Sequence, residues 1–552
     1  MKSPVKLRTT MTGGLVLAFC SALIGQAGPS SADDNPRDDG TGNQPIHLNL
    51  GAADLPEQRT VSTLAPGVTL TKISRGGADS SLSWTAEVAI PSDSPDADAP
   101  TSPLSSQSTA QHTVEKLKAA GVDSRVEHVQ SPQLADGGGD LGYRVRAGQF
   151  AAKADGAAVV SQIKAAGFES STTYTGWDGD LGTSADTRGP WNLEVITIDP
   201  KDYRGELTAS FGPDLEKRET TSQLASAAGA IAAVNAGFFV FDPKAGAEGD
   251  PAGVGVYGGT TLSEPVADRP ALIIDGNKNS TSIERLSWAG SLSSATGQLA
   301  LDGVDRVPGL IRNCGGANDL PTPLALHDVT CTNANELVTF TPEFGPSTPF
   351  GPGLEVTVDA GNIVTGVAET RGTAVPVGGH TLQATGTDVE RLRTLAPVGA
   401  KLKIGTDLVG ENGKTLRSNK ATSVVNGGPL LVKDGRQDVT VKRDGMVHPN
   451  DGNSFYYGWV HKRNPRTFAG TDAAGRTLLV TADGRSTASL GLSLKEEADV
   501  AMSLGMVQAM NPDGGGSTTA VAGGNVLNSP SGGTERGVGD ALLVLPGRPE
   551  KE

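Results

Sequence analysis

Hydrophobic and polar residues alternate over short stretches along much of this 552-residue chain, and turn-forming residues separate the stretches. A period of two is typical of strands with one buried face, and Gly, Pro, Asn and Asp commonly end such strands. Two longer segments, residues 221–233 and 495–504, instead predict helices. From Trp191 onward the chain therefore predicts one large α+β domain with mixed sheets, at residues 191–547. Its clearest predicted strands are residues 193–198, 271–274, 337–341, 355–358, 422–425 and 477–480.

A repeated segment precedes this domain. Residues 114–124 (VEKLKAAGVDS) are echoed by residues 160–170 (VSQIKAAGFES). Each copy predicts a short helix that ends at a glycine and leads into a strand. Residues 84–90 and 143–150 alternate like further strands. The order strand, helix, strand, strand, helix, strand predicts a small ferredoxin-like α/β sandwich at residues 82–176.

The first 32 residues have the pattern of a secretory signal peptide. Two lysines and one arginine precede an uncharged apolar stretch at residues 11–24, and small residues lead up to Ala32. The stretch is short for a membrane anchor, which is the alternative, so we expect cleavage near Ala32 and no stable membrane insertion. We expect a secreted or cell-wall-associated protein. Residues 33–81 predict a disordered and then extended segment.

Charge and cysteine content narrow the classes of function. The formal net charge is −16, and the phosphates of nucleic acids would be repelled by such a protein. Loss of the signal peptide leaves Cys314 and Cys331, and an even pair outside the cytosol favours one disulfide over two free thiols. The seven histidines lack the spacing of paired metal ligands, so we predict neither a metal nor another cofactor.

Four polar clusters lie next to predicted strands or helices and form a candidate site. Glycine permits positive φ and a close approach of the backbone to a ligand, which leaves N–H groups free to face an anion. A hairpin turn is the structural alternative for any single cluster. Together the clusters supply carboxylates, arginines and an amide, which favours a binding site. The clusters are residues 234–239 with Asn235 and Gly237, residues 464–467 with Arg466, residues 483–485 with Asp483 and Arg485, and residues 511–519 with Asp513, Gly514, Gly515, Gly516 and Ser517.

The large domain resembles the phosphodiester glycosidase family, which includes the enzyme that removes N-acetylglucosamine from a phosphodiester to uncover mannose 6-phosphate. The resemblance implies hydrolysis of the anomeric C–O bond of a sugar 1-phosphodiester. The motifs that carry it, in family order, are residues 235–239 (NAGFF), 270–276 (PALIIDG), 304–308 (VDRVP), 425–435 (VNGGPLLVKDG), 465–470 (PRTFAG), 483–485 (DGR), 513–519 (DGGGSTT) and 528–531 (NSPS).

This reaction suggests roles for the candidate residues. Glycoside hydrolysis normally uses two carboxyl groups, so we assign Asp513 as the leading catalytic carboxylate, with Asp483 or Glu496 as its partner. The alternative for Glu496 is a structural place in the first turn of a helix.

The remaining candidates would bind the substrate. Arg466 and Arg485 are assigned to the phosphate, because a planar guanidinium can donate two parallel hydrogen bonds. The N–H groups of residues 514–517 would assist them. Asn235 would hydrogen-bond the sugar or orient a carboxylate. The structural alternative for Arg485 is a bridge to the surroundings of Asp483.

Residues 82–176 resemble the SPOR repeat, a peptidoglycan-binding module. The matching residues are 143–150 (YRVRAGQF) and 164–168 (KAAGF). The resemblance implies that glycan strands bind at the sheet face, and the alternative is a packing domain that shares only the topology. Three functions follow for the whole chain: a glycosidase on sugar 1-phosphodiesters of envelope or extracellular glycans, a phosphodiesterase on similar substrates, or a non-catalytic glycan-binding envelope protein.

Overall fold

The computed structural model describes residues 47–90, 102–182, 186–312, 314, 316, 318–322, 330–448 and 451–547. The predicted signal peptide, residues 1–32, lies outside the described residues. The described part is mostly β, with several sheets and few helices, in agreement with a mixed α+β class. None of its helices is both long and apolar enough to cross a membrane.

An eight-stranded sheet is the centre of the large domain, and each strand pairs antiparallel with its neighbours. Its first two strands come from the segment that was predicted to be disordered or extended. They join this sheet because alternate residues such as Val68 and Leu70 are buried in the core of the large domain. The strands, in spatial order, are Glu57–Ala65, Val68–Arg75, Trp191–Ile198, Thr477–Ala482, Arg466–Asp472, Met506–Met510, Leu430–Lys433 and Arg436–Gln437.

Two further sheets pack with the central sheet around one hydrophobic core, to which Val234, Leu272 and Leu479 each contribute from a different sheet. One consists of Asn525–Val526, Ala520–Ala522, Ala232–Asn235, Ala541–Leu545 and Glu206–Ser210. The other consists of Thr260–Ser263, Gly255–Tyr257, Thr422–Asn426, Pro270–Asp275, Ser280–Ser294 and Gly297–Ala300, with Lys403–Gly410 paired to Ser280–Ser294.

Smaller sheets lie in the middle of the sequence and near the site. The disulfide predicted between Cys314 and Cys331 is present. It lies beside a three-stranded sheet of Ile311–Arg312, Thr330–Thr332 and Leu320–Pro321. A five-stranded sheet contains Gly303–Val304, Leu337–Phe340, His380–Ala384, Gly351–Val358 and Val364–Arg371, and Gly537–Val538 pairs with Glu219–Thr220.

Helices of the large domain are few, and their ends follow from local sequence. The helix predicted at residues 221–233 spans Thr221–Ala228, because Gly229 adopts a left-handed conformation that ends it. The residues after that glycine enter the strand Ala232–Asn235 instead. The helix predicted at residues 495–504 spans Leu494–Ser503 and begins with a capping box formed by Ser493 and Glu496. A third helix spans Asp388–Leu395.

The small domain, residues 84–174, has the predicted order of strands and helices along the chain. Its sheet is antiparallel, in the spatial order Ser124–Ser131, Gly139–Phe150, Trp84–Ala89 and Glu169–Tyr174. Its helices span Gln107–Ala119 and Ala157–Ala165, and both are amphipathic. Leu117 and Ile163 from these helices pack on Val88 and Val145 of the sheet, which forms a separate hydrophobic core.

Candidate active site

A cavity of about 180 Å³ opens beside residues 513–517, which we call the glycine loop. Among the described residues that line it, Asp513 is the only carboxylate. Five aromatic rings and three guanidinium groups form most of the remaining wall. The lining residues are Phe238, Phe239, Phe241, Arg312, Phe455, Trp459, Arg485, Asp513, Gly514, Gly515, Gly516 and Arg536.

The backbone of Asp513 is fixed from both sides. Its N–H donates to the carbonyl of Ala236 at 2.8 Å. Its carbonyl accepts a hydrogen bond from Nδ2 of Asn235 at 2.7 Å. The carboxylate Oδ1 accepts from the N–H of Gly514 at 2.9 Å. These contacts fix the backbone of Asp513 and place its carboxylate in the cavity wall.

The glycines allow two arginines to rest against the loop. A Cβ on Gly516 would lie 2.2 Å from Nη2 of Arg536, and a Cβ on Gly515 would lie 3.3 Å from Nη2 of Arg485. Gly515 also has a φ of +61°, which disfavours any side chain there. Any larger residue at 516 would push the guanidinium of Arg536 away from the cavity.

Arg485 is oriented by its own backbone and by a neighbouring amide. It has a φ of +55°, a conformation that non-glycine residues rarely adopt and that is often found at functional sites. Its Nε donates to Oδ1 of Asn464 at 3.0 Å. Desolvation and the nearby charge of Arg536 lower the pKa of Arg485, and Asp513 acts in the opposite direction. Two adjacent guanidinium groups beside one carboxylate give the cavity a local positive potential that favours an anion.

Arg312 brings a third guanidinium to the cavity from the short strand Ile311–Arg312. This strand pairs with Thr330–Thr332, so Arg312 lies close to the disulfide of Cys314 and Cys331. Arg312 also lines a second cavity of about 520 Å³, whose other lining residues include Trp288. The two cavities therefore share a cationic side chain at their junction.

The aromatic wall is held by hydrogen bonds to backbone atoms. The N–H of Phe238 donates to Oδ1 of Asn426 at 2.9 Å, and Nδ2 of Asn426 donates back to the carbonyl of Phe238 at 3.1 Å. The rings of Phe238 and Trp459 are 6.0 Å apart. Trp459 belongs to a π-helical turn, Tyr456–His461, which we call the aromatic turn.

A family model described as phosphodiester glycosidase matches residues 352–545, a span that contains the glycine loop and Arg485. A solved "Putative exported protein" of Burkholderia pseudomallei is 31% identical, covers 91% of this chain and 99% of its own, and superposes with a TM-score of 0.78. The chain belongs to the phosphodiester glycosidase family. An SPOR domain model matches residues 102–173, so the sequence resemblance to both families is confirmed.

Other similar proteins share less sequence identity with the chain or match a shorter segment of it. A hypothetical protein from Synechocystis shares the fold, with 17% identity and a TM-score of 0.51 over 90% of this chain and 80% of its own. An SPbeta prophage-derived uncharacterized protein of Bacillus subtilis is 34% identical over 85 residues. That match covers 15% of this chain and 13% of the Bacillus protein.

Arg466 does not line the cavity, contrary to the prediction that it binds the phosphate. Its side chain is fully buried, and its Nε donates to the carbonyl of Leu492 at 2.9 Å. Its Nη2 donates to the carbonyl of Trp459, and its guanidinium lies 4.8 Å from the centre of that indole ring. Burial lowers the pKa of Arg466 to about 10. Arg466 therefore supports the aromatic turn through Trp459, from a buried position outside the cavity.

Glu496, predicted as a possible partner of Asp513, does not line the cavity either. It is 2% exposed and accepts hydrogen bonds from Arg463, the shortest at 2.7 Å. It also accepts from the N–H of Ser493 at 3.0 Å, as a capping-box residue does. The structural alternative is therefore the one that its contacts favour.

Asp483 is likewise outside the cavity. Its Oδ1 accepts from the N–H of Ser529 at 2.8 Å and from Nδ2 of Asn528 at 3.4 Å, which fastens the loop that follows residue 527. Burial raises the pKa of Asp483. Burial and the nearby Asp483 raise the pKa of Glu194 to about 8. These two carboxyl groups form a buried acidic pair behind the site.

Asn235, Gly237 and Ser517 surround the cavity without lining it. Oδ1 of Asn235 accepts from Oγ1 of Thr467 at 2.6 Å, so Asn235 bonds backbone and hydroxyl groups instead of a sugar or carboxylate. A Cβ on Gly237 would lie 2.7 Å from Nδ2 of Asn426, which explains the glycine. Ser517, the last residue of the glycine loop, is fully buried. These residues shape the site from outside the cavity.

Arg312, Arg536 and the aromatic residues of the cavity wall were not predicted from the sequence as site residues. Arg536 lies at the end of a polar loop, directly before the strand Gly537–Val538, and a strand of two residues is too short to show a periodic pattern. Phe455 and Trp459 belong to a short cluster of aromatic residues in a chain with only 4% aromatic residues, and this local enrichment was a usable signal. Within the described ranges, no group of three or more His, Cys, Asp or Glu residues is arranged to hold a metal ion.

Proposed function

We propose that this protein hydrolyses the anomeric C–O bond of sugar 1-phosphodiesters. The observation that carries the proposal is the packing of Arg485 and Arg536 on the glycine loop, next to the carboxylate of Asp513. The guanidinium groups suit a phosphodiester, the aromatic rings suit the faces of a sugar, and the carboxylate suits developing positive charge at the anomeric carbon. The family membership supports the same reaction.

The presence of one carboxylate in the cavity is consistent with this substrate. The leaving group in this reaction is a stable phosphate monoester. Neutralisation of its negative charge therefore matters more than protonation of the oxygen at which the bond breaks. Arg485, Arg536 and Arg312 would supply that neutralisation. Asp513 would stabilise the oxocarbenium-like transition state, in which the C–O bond breaks and its electron pair stays on the phosphate oxygen. Water supplies the new hydroxyl of the sugar.

We also propose that the protein acts at the cell envelope or outside the cell. The predicted signal peptide supports export, and the similar Burkholderia protein is described as an exported protein. The match of residues 102–173 to the SPOR domain also supports a location at the cell envelope. The substrates would then be envelope or extracellular glycans that carry a sugar linked through a phosphodiester.

Incubation with a panel of methyl sugar 1-phosphates tests the activity. We expect a free reducing sugar and methyl phosphate, which ³¹P NMR distinguishes from a sugar 1-phosphate and methanol. The second product pair would identify a phosphodiesterase, to which a cluster of arginines around a phosphate is also suited. Absence of turnover across the panel, with retained glycan binding, would favour a non-catalytic envelope protein.

A further inference from the structure

The centre of the small-domain sheet is buried on both faces. Its two helices cover one face, as in the predicted sandwich. The other face carries Thr85, Arg144 and Arg146, whose exposed fractions are 0%, 3% and 1%. This second face is covered by Asp178 and Asp180, which belong to the connector between the small and the large domain, and by Tyr457 of the aromatic turn. It is the face at which the SPOR resemblance would bring in glycan strands.

An ion network joins the second face to the connector. Nη1 of Arg146 lies 2.6 Å from Oδ2 of Asp178, and Nη2 of Arg146 lies 2.7 Å from Oε2 of Glu87. Nη2 of Arg144 lies 2.6 Å from Oδ2 of Asp180. Both arginines are thus neutralised by carboxylates of the same chain, so the face has no free cation to offer a ligand at these two positions.

The same network reaches the aromatic turn. The hydroxyl of Tyr457 accepts from Nη1 of Arg144 at 3.2 Å and donates to Oε2 of Glu87 at 3.1 Å. Nε2 of His461 lies 2.7 Å from Oδ1 of Asp180. The large domain therefore occupies the sheet face with polar contacts that replace those a ligand would make.

The aromatic turn has two sides with different roles. Tyr457 and His461, four residues apart, contact the network of the small domain. Phe455, which directly precedes the turn, and Trp459, four residues later, line the cavity of the candidate active site. Residues four apart in a helical turn share one side of it, so the turn is placed between the sheet and the cavity. A π-helical turn is itself a feature often found at functional sites.

We propose that the small domain is a positioning module for the site: its sheet face holds the aromatic turn, so that Phe455 and Trp459 stay in the cavity wall. Glycan strands would not bind at this face while the turn occupies it. Tyr457 is the central positioning residue, because its hydroxyl bonds two strands of the small domain at once. The kinetic part of this inference rests on the proposed function, whereas the positioning itself does not.

Hydrogen exchange in the full chain tests the positioning without any need for turnover. Tyr457→Phe removes the hydroxyl and keeps the ring. We expect the amides of residues 455–462 to exchange at least about tenfold faster, because two hydrogen bonds to charged groups are lost. Tyr143→Phe is the matched control. Tyr143 lies in the strand Gly139–Phe150, next to Arg144, but packs against the core between the sheet and the helices. Unchanged exchange at residues 455–462 in Tyr457→Phe would overturn the inference.

Kinetics and hydrogen exchange with peptidoglycan complete the test. With a methyl sugar 1-phosphate that the wild type hydrolyses, Tyr457→Phe should raise KM about fivefold and change kcat less than twofold. If the wild type hydrolyses none, the proposed function fails while the exchange data still decide the positioning. Protection of amides in Gly139–Phe150 of the wild type by peptidoglycan would show that glycan strands bind at the face that the turn occupies and would contradict the inference.

Discussion

The substitution Gly516→Ala tests the anion site with the smallest perturbation that the structure offers. The new Cβ would lie 2.2 Å from Nη2 of Arg536, 2.4 Å from its Cζ and 2.9 Å from its Nε. The whole guanidinium must therefore leave its place on the loop. The side chain is flexible and ends at the surface, so the displacement should be tolerated by the fold.

The expected effect is a loss of affinity for phosphate and little change in stability. A hydrogen bond to a charged group contributes roughly 1.5–3 kcal/mol, so KM for a sugar 1-phosphodiester should rise about 10- to 100-fold. Isothermal titration with inorganic phosphate should show a loss of similar size. The melting temperature should shift by no more than about 2 °C, since one exposed contact is lost.

Two further variants make the result specific. Gly532→Ala is the matched control, because the nearest atom to its Cβ is the carbonyl oxygen of Thr534 at 3.8 Å. Arg536→Ala should lose the same affinity, and the combination with Gly516→Ala should lose no more, since both act through one guanidinium. Wild-type KM and phosphate affinity in Gly516→Ala would refute a role for Arg536 in the site.

The remaining predictions concern the carboxylates and the buried arginine. Asp513→Asn should lower kcat by about 10²–10⁴-fold with an unchanged circular dichroism spectrum, and near-normal turnover would remove Asp513 from its role. Arg466→Met should reduce the free energy of unfolding in urea by about 3–5 kcal/mol, because it leaves Glu497, 3.7 Å away, without its cation. Arg485→Met should instead raise KM with little loss of stability. Glu194 has a folded pKa of about 8, above its value in the unfolded chain, so its contribution to stability is present at low pH and is lost as pH rises toward 8. Glu194→Gln should therefore flatten the fall in unfolding free energy between pH 5 and pH 8 by up to about 1.4 kcal/mol per pH unit, and an unchanged slope in urea titrations would contradict this assignment.

The strands and the glycine loop could be predicted because their signals are local. Alternation over five or six residues marks a strand wherever it lies, and a carboxylate followed by three glycines is conspicuous in any sequence. The end of the helix at Ala228 was missed because Gly229 acts through one left-handed residue that a periodicity search passes over.

The placement of the arginines could not be predicted from local sequence. Arg466 begins a strand in which almost every side chain is buried on both faces, so its direction depends on which elements pack there. Arg536 lies far along a polar loop and reaches the cavity only because Gly516 leaves room for it. Arg144 and Arg146 lie in the segment that carries the SPOR resemblance, which implied a ligand-binding sheet face. Their burial depends on Asp178, which is remote in sequence and marked by no motif.

The most direct test of the proposed reaction is hydrolysis of a methyl sugar 1-phosphate in ¹⁸O-labelled water, followed by mass spectrometry of both products. Cleavage of the anomeric C–O bond places the oxygen of water on the sugar. We therefore predict label in the reducing sugar and none in methyl phosphate. Label in the phosphate, with an unlabelled sugar, would show cleavage of the P–O bond and contradict the glycosidase assignment.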